Sequence, residues 1–205
     1  MFKLYLLNVL LESDYSNAHK EAQKNAALSI EKGGLGLHKN NTAMDRANAM
    51  GFTTKAYHST DKSFDNFDIE KSSNGAAFGK GVYVTYDKDK VSNWSKSKEG
   101  SNVLPLLVKR DNVLKMEPLS SESASKLSNY LGRKIEEKSP VPYTSLERKG
   151  GGHVSIGASN AGFSGVDHTG IGTDNLNTVF TDMRHIRSIN AAFDPFKKDH
   201  SDLLA

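Results

Sequence analysis

Two short segments carry side chains that could do chemistry together. The first is Ala56-Tyr57-His58-Ser59-Thr60, a strand-like run that ends in an imidazole and two hydroxyls. The second, about twenty residues on, is Phe78-Gly79-Lys80-Gly81-Val82-Tyr83-Val84-Thr85, followed by Trp94. Together they offer an imidazole, exposed backbone amides, a glycine-rich turn that would let a ligand approach closely, and two aromatic rings. Tyr83 and Trp94 stand eleven residues apart across an expected strand–helix turn. A planar ring clamped between them would gain about 1–3 kcal/mol from stacking. Lys80, between the two glycines, either touches a pyrophosphate or is a solvated loop residue. His58 alone would read as a core histidine; Gly79, Gly81 and Tyr83 nearby in sequence turn the reading towards a site.

Much other chemistry is excluded. There are no cysteines, hence no disulfide scaffold, no Cys-ligated metal and no thiol nucleophile. The chain has no G-x-x-x-x-G-K-[ST] loop, no G-x-G-x-x-G between a strand and a helix, no G-x-S-x-G elbow and no H-E-x-x-H. His153, His168 and His185 fall on separate expected elements and read as structural or solvated. The net charge of +3 is too mild, and too free of like-charge blocks, to predict a polyanionic partner. A hydrophobic content of 37% with 25% charged residues, and 17 Gly against 5 Pro, describes one loop-rich mixed domain rather than a disordered chain. No stretch approaches the roughly 20 apolar residues of a membrane span. The apolar start from Met1 to Leu11 is short, broken by Asn8 and followed by Glu12 and Asp14. It reads as a first buried segment rather than a signal peptide, and the expected location is the cytoplasm.

Around the two segments, periodicity sets the elements. Ala18, Ala22, Ala26 and Ile30 recur every four residues, a narrow helical stripe that stops at Gly33-Gly34-Leu35-Gly36. Thr42 with Asp45 forms an acidic variant of the capping box, opening a short helix through Met50. Residues 1–51 are thus a helical lead-in, and 52–205 the domain that carries the site. From Ala56 on, short strands alternate with Gly, Asn, Asp and Ser clusters: Gly81–Tyr86, Val103–Val108, Gly165–His168 and Thr178–Thr181. Pro105 predicts that its strand starts there or lies at an edge. Helices are expected over 87–97, opened by Asp87, and over 120–138, where Ala124, Leu127, Leu131 and Ile135 share a face. Lys149-Gly150-Gly151-Gly152 reads as a flexible hinge. The order predicts an α+β fold with a mostly antiparallel sheet.

At this point the sequence resembles a known family. Phe78-Gly79-Lys80-Gly81-Val82-Tyr83, with an aromatic eleven residues past Tyr83, is similar to the poly(ADP-ribose)-polymerase type of ADP-ribosyltransferase. Tyr57-His58-Ser59-Thr60 resembles that family's His-Gly-Ser/Thr motif, with Ser59 in place of Gly. The ART-PolyVal-like branch of phage and bacterial proteins is similar over more of the chain. It is matched at Asn102-Val103-Leu104-Pro105 to Asn112-Val113-Leu114, at Arg187 to Pro195, and at Asp202-Leu203-Leu204-Ala205. The segments Asn25–Leu28, Gly33–Leu37 and Asn41–Ala47 are similar to what precedes that domain. The resemblance covers about residues 18–205 and is strongest at 56–85 and 186–195.

The resemblance implies a split, mostly antiparallel sheet core and NAD as co-substrate, with nicotinamide as leaving group. It implies that the Ser59 backbone binds the carboxamide, that His58 hydrogen-bonds the adenosine-side ribose, and that Thr60 supports the pocket. Tyr83 and Trp94 would sandwich the nicotinamide; Ser92, or Val91 in a strict alignment, would lie at the carboxamide. Gly79, Lys80 and Gly81 complete the expected binding set. ADP-ribose would pass through an oxocarbenium-like transition state to a macromolecular acceptor, protein or nucleic acid. No metal and no membrane is expected, the chain is expected to be a monomer, and the setting is a phage, prophage or bacterial effector or toxin. The third catalytic position, an acid or Gln in the family, falls on Asn177. A unit charge at 4 Å is worth about 4 kcal/mol at an effective dielectric of 20, so a neutral residue there matters. A shifted register makes Asp174 the acid instead. Otherwise the enzyme tolerates Asn, or the domain is degraded and only binds NAD; simple NAD hydrolysis is a further variant.

Overall fold

The computed structural model describes residues 2–61, 66–71, 78–95, 102–115, 117–169 and 178–205, with the backbone alone for 2–13 and 92–95. Among them, in chain order, are α1 (Phe2–Ala27), α2 (Ala43–Ala49), β1 (Thr54–Thr60), β2 (Val82–Val84), α3 (Lys88–Ser95), β3 (Asn102–Val108), β4 (Val113–Lys115), α4 (Ser121–Leu131), α5 (Tyr143–Lys149), α6 (Val154–Asn160), β5 (Gly165–Asp167), β6 (Thr178–Phe180) and β7 (Ile186–Ser188). The strands make two sheets, ordered β1-β3-β7 and β2-β6-β5-β4. Every pair is antiparallel except β4–β5. Among the described residues a single bridge joins the sheets: Tyr57 N donates to Thr85 O at 2.8 Å and Thr85 N to Tyr57 O at 3.0 Å. The fold is therefore α+β with two mostly antiparallel sheets.

Alternation along the strands sorts the core into layers. Ala56, Leu106, Val108 and Ile186 of the first sheet pack with Val82, Val84 and Phe180 of the second. Leu107, one residue out of phase, meets Ala47, Phe52, Ala191 and Phe193 on the other side of the first sheet. Leu114, Val166 and Val179 do the same for the second sheet, beneath Leu127, Leu146, Val154 and Ala158 of α4–α6. Each fully buried Leu or Phe contributes roughly 1.5–3 kcal/mol by leaving water. Both sheets are thus covered on two faces, which is why β2, β5 and β6 can be as short as three residues.

Several expectations hold and several shift. Thr42 and Asp45 form the reciprocal capping box of α2. Asp87 opens α3 through its carboxylate, which accepts from Asp89 N at 2.9 Å. The alanine stripe buries Ala22 and Ala26, but α1 ends at Ala27, and Ile30 sits in a 3-10 turn with 78% of its surface exposed. The side chains of Met1–Leu11 lie outside the described residues. The helix expected over 120–138 stops at Leu131, because Gly132 adopts a left-handed cap with φ 69°. Ile135 still joins the core, its N–H donating to Ser128 Oγ at 2.9 Å.

Gly150–Gly152 is not a hinge. It is the hydrogen-bonded turn between α5 and α6, with Gly150 N on Leu146 O at 2.8 Å and Gly152 N on Glu147 O at 2.9 Å. Pro105 lies in the middle of β3, which is the inner strand of its sheet, contrary to the edge or start position expected. Its partner Tyr57 turns its own N–H and C=O to Thr85, so the missing Pro N–H faces away from β1. There β7 has already ended, and Pro105 O accepts from Ile189 N at 3.2 Å. No helix among the described residues is long and apolar enough to cross a membrane.

Candidate functional site

The two chemistry-bearing segments meet at the Tyr57–Thr85 bridge and, through a side chain, at His58. His58 Nδ1 lies 2.8 Å from the backbone carbonyl oxygen of Tyr83. A carbonyl only accepts, so Nδ1 carries the proton and donates. In the neutral ring Nε2 is then left with a lone pair, and it makes no hydrogen bond among the described residues. Burial pushes the His58 pKa down, opposed by the bond to Tyr83. The site thus presents a neutral imidazole with an acceptor nitrogen, fit to receive a hydroxyl. The Phe67 ring meets the imidazole edge-on, with centroids 5.1 Å apart.

Tyr83 is placed differently from His58. Its neighbours in β2, Val82 and Val84, pack between the sheets, whereas the Tyr83 ring packs with the cluster beneath α4–α6. The structure therefore joins the His58 side chain to the Tyr83 backbone, not two side chains to each other. The Tyr83 hydroxyl donates to Gly79 O at 2.8 Å and accepts from Phe78 N at 3.1 Å. It closes the turn that precedes its own strand. Burial raises its pKa to about 12, so the phenol stays protonated at any physiological pH.

The glycines of that turn serve the protein's own packing. A Cβ on Gly79 (φ +94°) would stand 2.5 Å from His153 Cβ, and one on Gly81 (φ +148°) 2.5 Å from Val179 Cγ2. The room expected for a ligand is filled on those sides by α6 and β6. Ser155 fastens the turn further, its N–H donating to Phe78 O at 3.0 Å and its hydroxyl to Lys80 O at 2.7 Å. Lys80 is neither free nor simply solvated: its ammonium pairs with Glu70.

Ser59 and Thr60 complete β1, half-buried and paired in register with Val103 and Asn102. Strand alternation puts Thr60 on the face of His58 and Ser59 on the other. Val91 is buried in α3. The side chains of Ser92 and Trp94 lie outside the described residues, as do Asp174 and Asn177 entirely. The Trp94 half of the expected clamp and the third catalytic position belong to that part of the chain, whereas the Tyr83 ring packs with the cluster beneath α4–α6.

His168, which sequence reasoning set aside as structural or solvated, is part of this neighbourhood. It is 1% exposed, stacks on Phe78 with centroids 4.3 Å apart and planes at 14°, and lies 6.4 Å from the Tyr83 ring. Only the parity of β5 hinted at this: His168 follows Val166 by two, on the face that Val179 and Tyr83 share.

Beside it, Asp167 pairs with Arg110 and accepts from Thr169 N at 3.0 Å. Arg110 lies 4.6 Å from the Tyr86 ring centroid, and the Tyr86 hydroxyl is 2.6 Å from Thr178 Oγ1. This polar group ties the loop after β3 to β5 and β6.

Two surface cavities lie elsewhere. One of about 340 Å³ runs between β4 and α4, lined by the Lys115–Glu117 and Lys126–Glu122 ion pairs among others. The other, of about 530 Å³, lies at the end of β6, where Arg184 takes both oxygens of Asp182. Neither includes His58 or Tyr83. Among the described residues no group of three or more His, Asp or Glu could hold a metal ion. Set against known proteins, the chain matches no family model, and no curated protein or solved structure shows significant similarity to it.

Proposed function

We propose that the chain is an NAD-dependent ADP-ribosyltransferase that moves ADP-ribose to a macromolecular acceptor and releases nicotinamide. One observation carries this reading: His58 Nδ1 on the Tyr83 carbonyl at 2.8 Å, which ties the imidazole to the second motif segment and leaves Nε2 as an acceptor. A ribose hydroxyl is the natural donor for such a nitrogen. The split into two sheets joined by one bridge is in keeping with it. In this reading NAD is a substrate, lying along the end of β1 and the Gly79–Tyr83 turn. His58 orients the adenosine-side ribose through Nε2. The backbone of Ser59 holds the carboxamide, and Thr60 borders the pocket. Tyr83 acts through its ring and strand position rather than through its hydroxyl, which the turn consumes. The reading assigns the nicotinamide clamp to Tyr83 and Trp94, the carboxamide contact to Ser92 and the third catalytic role to Asn177 or Asp174. All of these side chains but that of Tyr83 lie outside the described residues.

A second reading, an NAD-binding module without transfer activity, is favoured by one feature. The position where the family carries an acid or Gln is Asn177, which supplies no negative charge to an oxocarbenium-like centre. Incubation with NAD labelled in the adenosine half, in a cell lysate, separates the two. Transfer predicts label on macromolecules, lost in His58→Ala, and sorted by protease and nuclease treatment into protein or nucleic acid. Binding by calorimetry with no label transferred selects the module. Free ADP-ribose without acceptor identifies a glycohydrolase. No NAD binding at all removes both readings.

A further inference from the structure

Lys80 is held in an unusual way for a loop lysine. Its backbone is held, because Ser155 Oγ donates to its carbonyl at 2.7 Å and Gly79 and Gly81 on either side pack where a Cβ would collide with His153 and Val179. Only the side chain is left to choose a partner. That side chain is 25% exposed, whereas its partner Glu70 is 70% exposed. The asymmetry matters. The carboxylate can swing into water at almost no desolvation cost, while the ammonium stays where the turn puts it, needing an anion.

Glu70 arrives from a separate piece of chain, in the 3-10 turn Ile69–Lys71. Three residues earlier, Phe67 lies edge-on to His58 with centroids 5.1 Å apart. The stretch Asn66–Lys71 thus touches both polar heads of the candidate site, the imidazole through Phe67 and the ammonium through Glu70. It is tied to the C-terminal segment by the Asn66–Asp202 bridge. The other charges on the stretch look to each other: Asp68 pairs with Lys71 at 3.6 Å and accepts from Glu70 N at 3.0 Å.

We propose that Glu70 is an internal competitor at an anion subsite centred on Lys80, filling it until the diphosphate of a bound ligand takes its place. A carboxylate and a phosphate oxygen satisfy the same ammonium, and a diphosphate brings more charge than one Glu on an exposed turn. The identity of the ligand as NAD rests on the function proposed above; the anion subsite does not. An ion pair with so exposed a partner is worth at most about 1 kcal/mol, so its removal tightens anion binding about two- to fivefold.

The test is calorimetric titration of the full chain with NAD and, separately, with inorganic pyrophosphate. It compares wild type, Glu70→Gln, Lys80→Gln and the double variant at about 50 and about 200 mM salt, the range where screening changes most. Glu70→Gln is expected to tighten pyrophosphate about two- to fivefold, most at the lower salt. Lys80→Gln should weaken it, and in the double variant the gain from Glu70→Gln should vanish. Unchanged or weaker pyrophosphate binding in Glu70→Gln overturns the proposal, as does a gain that survives in the double variant or no pyrophosphate binding to any form. If pyrophosphate follows the expected pattern and NAD does not bind, the subsite stands and the NAD reading falls. If pyrophosphate does not follow that pattern and NAD binds all four forms equally, the competitor falls and the NAD reading stands.

Discussion

The His58 imidazole is hydrogen-bonded to the Tyr83 backbone carbonyl, 25 residues away in sequence, and not to the Tyr83 phenol. That bond selects a tautomer. The expected state at pH 7 is a neutral ring with the proton on Nδ1 and a bare Nε2, since burial lowers the His58 pKa. A long-range proton–nitrogen NMR spectrum should show one histidine with a protonated Nδ1 and an unprotonated Nε2, absent in His58→Ala. His58→Ala should also weaken NAD binding about 2- to 13-fold, the range of one net hydrogen bond of about 0.5–1.5 kcal/mol. An imidazolium, or the opposite tautomer, would contradict the arrangement.

Tyr83→Phe separates the ring from the hydroxyl. Its loss leaves Phe78 N–H and Gly79 C=O, bonded at 3.1 and 2.8 Å, without their partner at a buried turn. An orphaned buried group costs about 1–3 kcal/mol, which for a domain of this size lowers Tm by roughly 2–4 °C per kcal/mol. NAD affinity at a temperature where both forms are folded should change less than about twofold by comparison, because the phenol is turned to the turn rather than to the ligand. Thermal unfolding beside calorimetry decides this. Stability unchanged with affinity lost would return the hydroxyl to the ligand.

What could be read in advance depended on how local each cause is. The Thr42–Asp45 box and the Val–Leu strand of β3 are written in adjacent residues, and both are where their spacing puts them. Gly79 and Gly81 read from the sequence as a turn that lets a ligand approach closely, but they serve packing within the chain. Their constraint comes from His153 and Val179, more than 70 residues away. α5 and α6, of seven residues each, are too short for a periodicity to show, so the glycines between them read as slack. The neighbours of His168 are not legible in the sequence, because only the pairing of β5 with β6, and of β6 with β2, brings it beside Phe78 and Tyr83.

The buried His168 gives the fold an acid-side weakness. Its pKa is lowered, chiefly by burial and against the pull of Asp167, so the native state holds it neutral while the unfolded chain takes up a proton first. The stability contributed by the neutral ring is complete above the unfolded value near 6.5 and is lost as pH falls below it towards the lowered native value. One such proton gives a slope of about 1.4 kcal/mol per pH unit within that window. His168→Phe keeps a ring against Phe78 without the titration. Denaturant unfolding from pH 7 down should show a shallower loss for the variant, by about one proton; parallel curves would mean that His168 is not the group responsible.

The helical lead-in is bound to the rest of the chain by a buried cation. Arg46 is 2% exposed, its Nε donating to Ala192 O at 2.7 Å and its Nη1 to Asn41 Oδ1 at 2.8 Å. Asn41 in turn donates to Gln23 O at 3.0 Å and accepts from Gln23 Nε2 at 2.9 Å, while Asn25 donates to Asp194 at 3.0 Å. One guanidinium thus links α2 to the loop after β7, with α1 attached through Asn41. Burial lowers its pKa, the charge being offset mainly by Asp194. Arg46→Ala should cost about 1–3 kcal/mol for each of the Ala192 and Asn41 acceptors that it strips of a buried donor. Arg46→Met, which fills the volume but not the bonds, should recover part of that loss and no more. Hydrogen exchange distinguishes the two sources: in Arg46→Met the amides of α1 and of residues 191–193 should lose protection together, while those of β5 and β6 keep theirs. Loss spread evenly over both sheets would mean that Arg46 supports the whole fold rather than this junction.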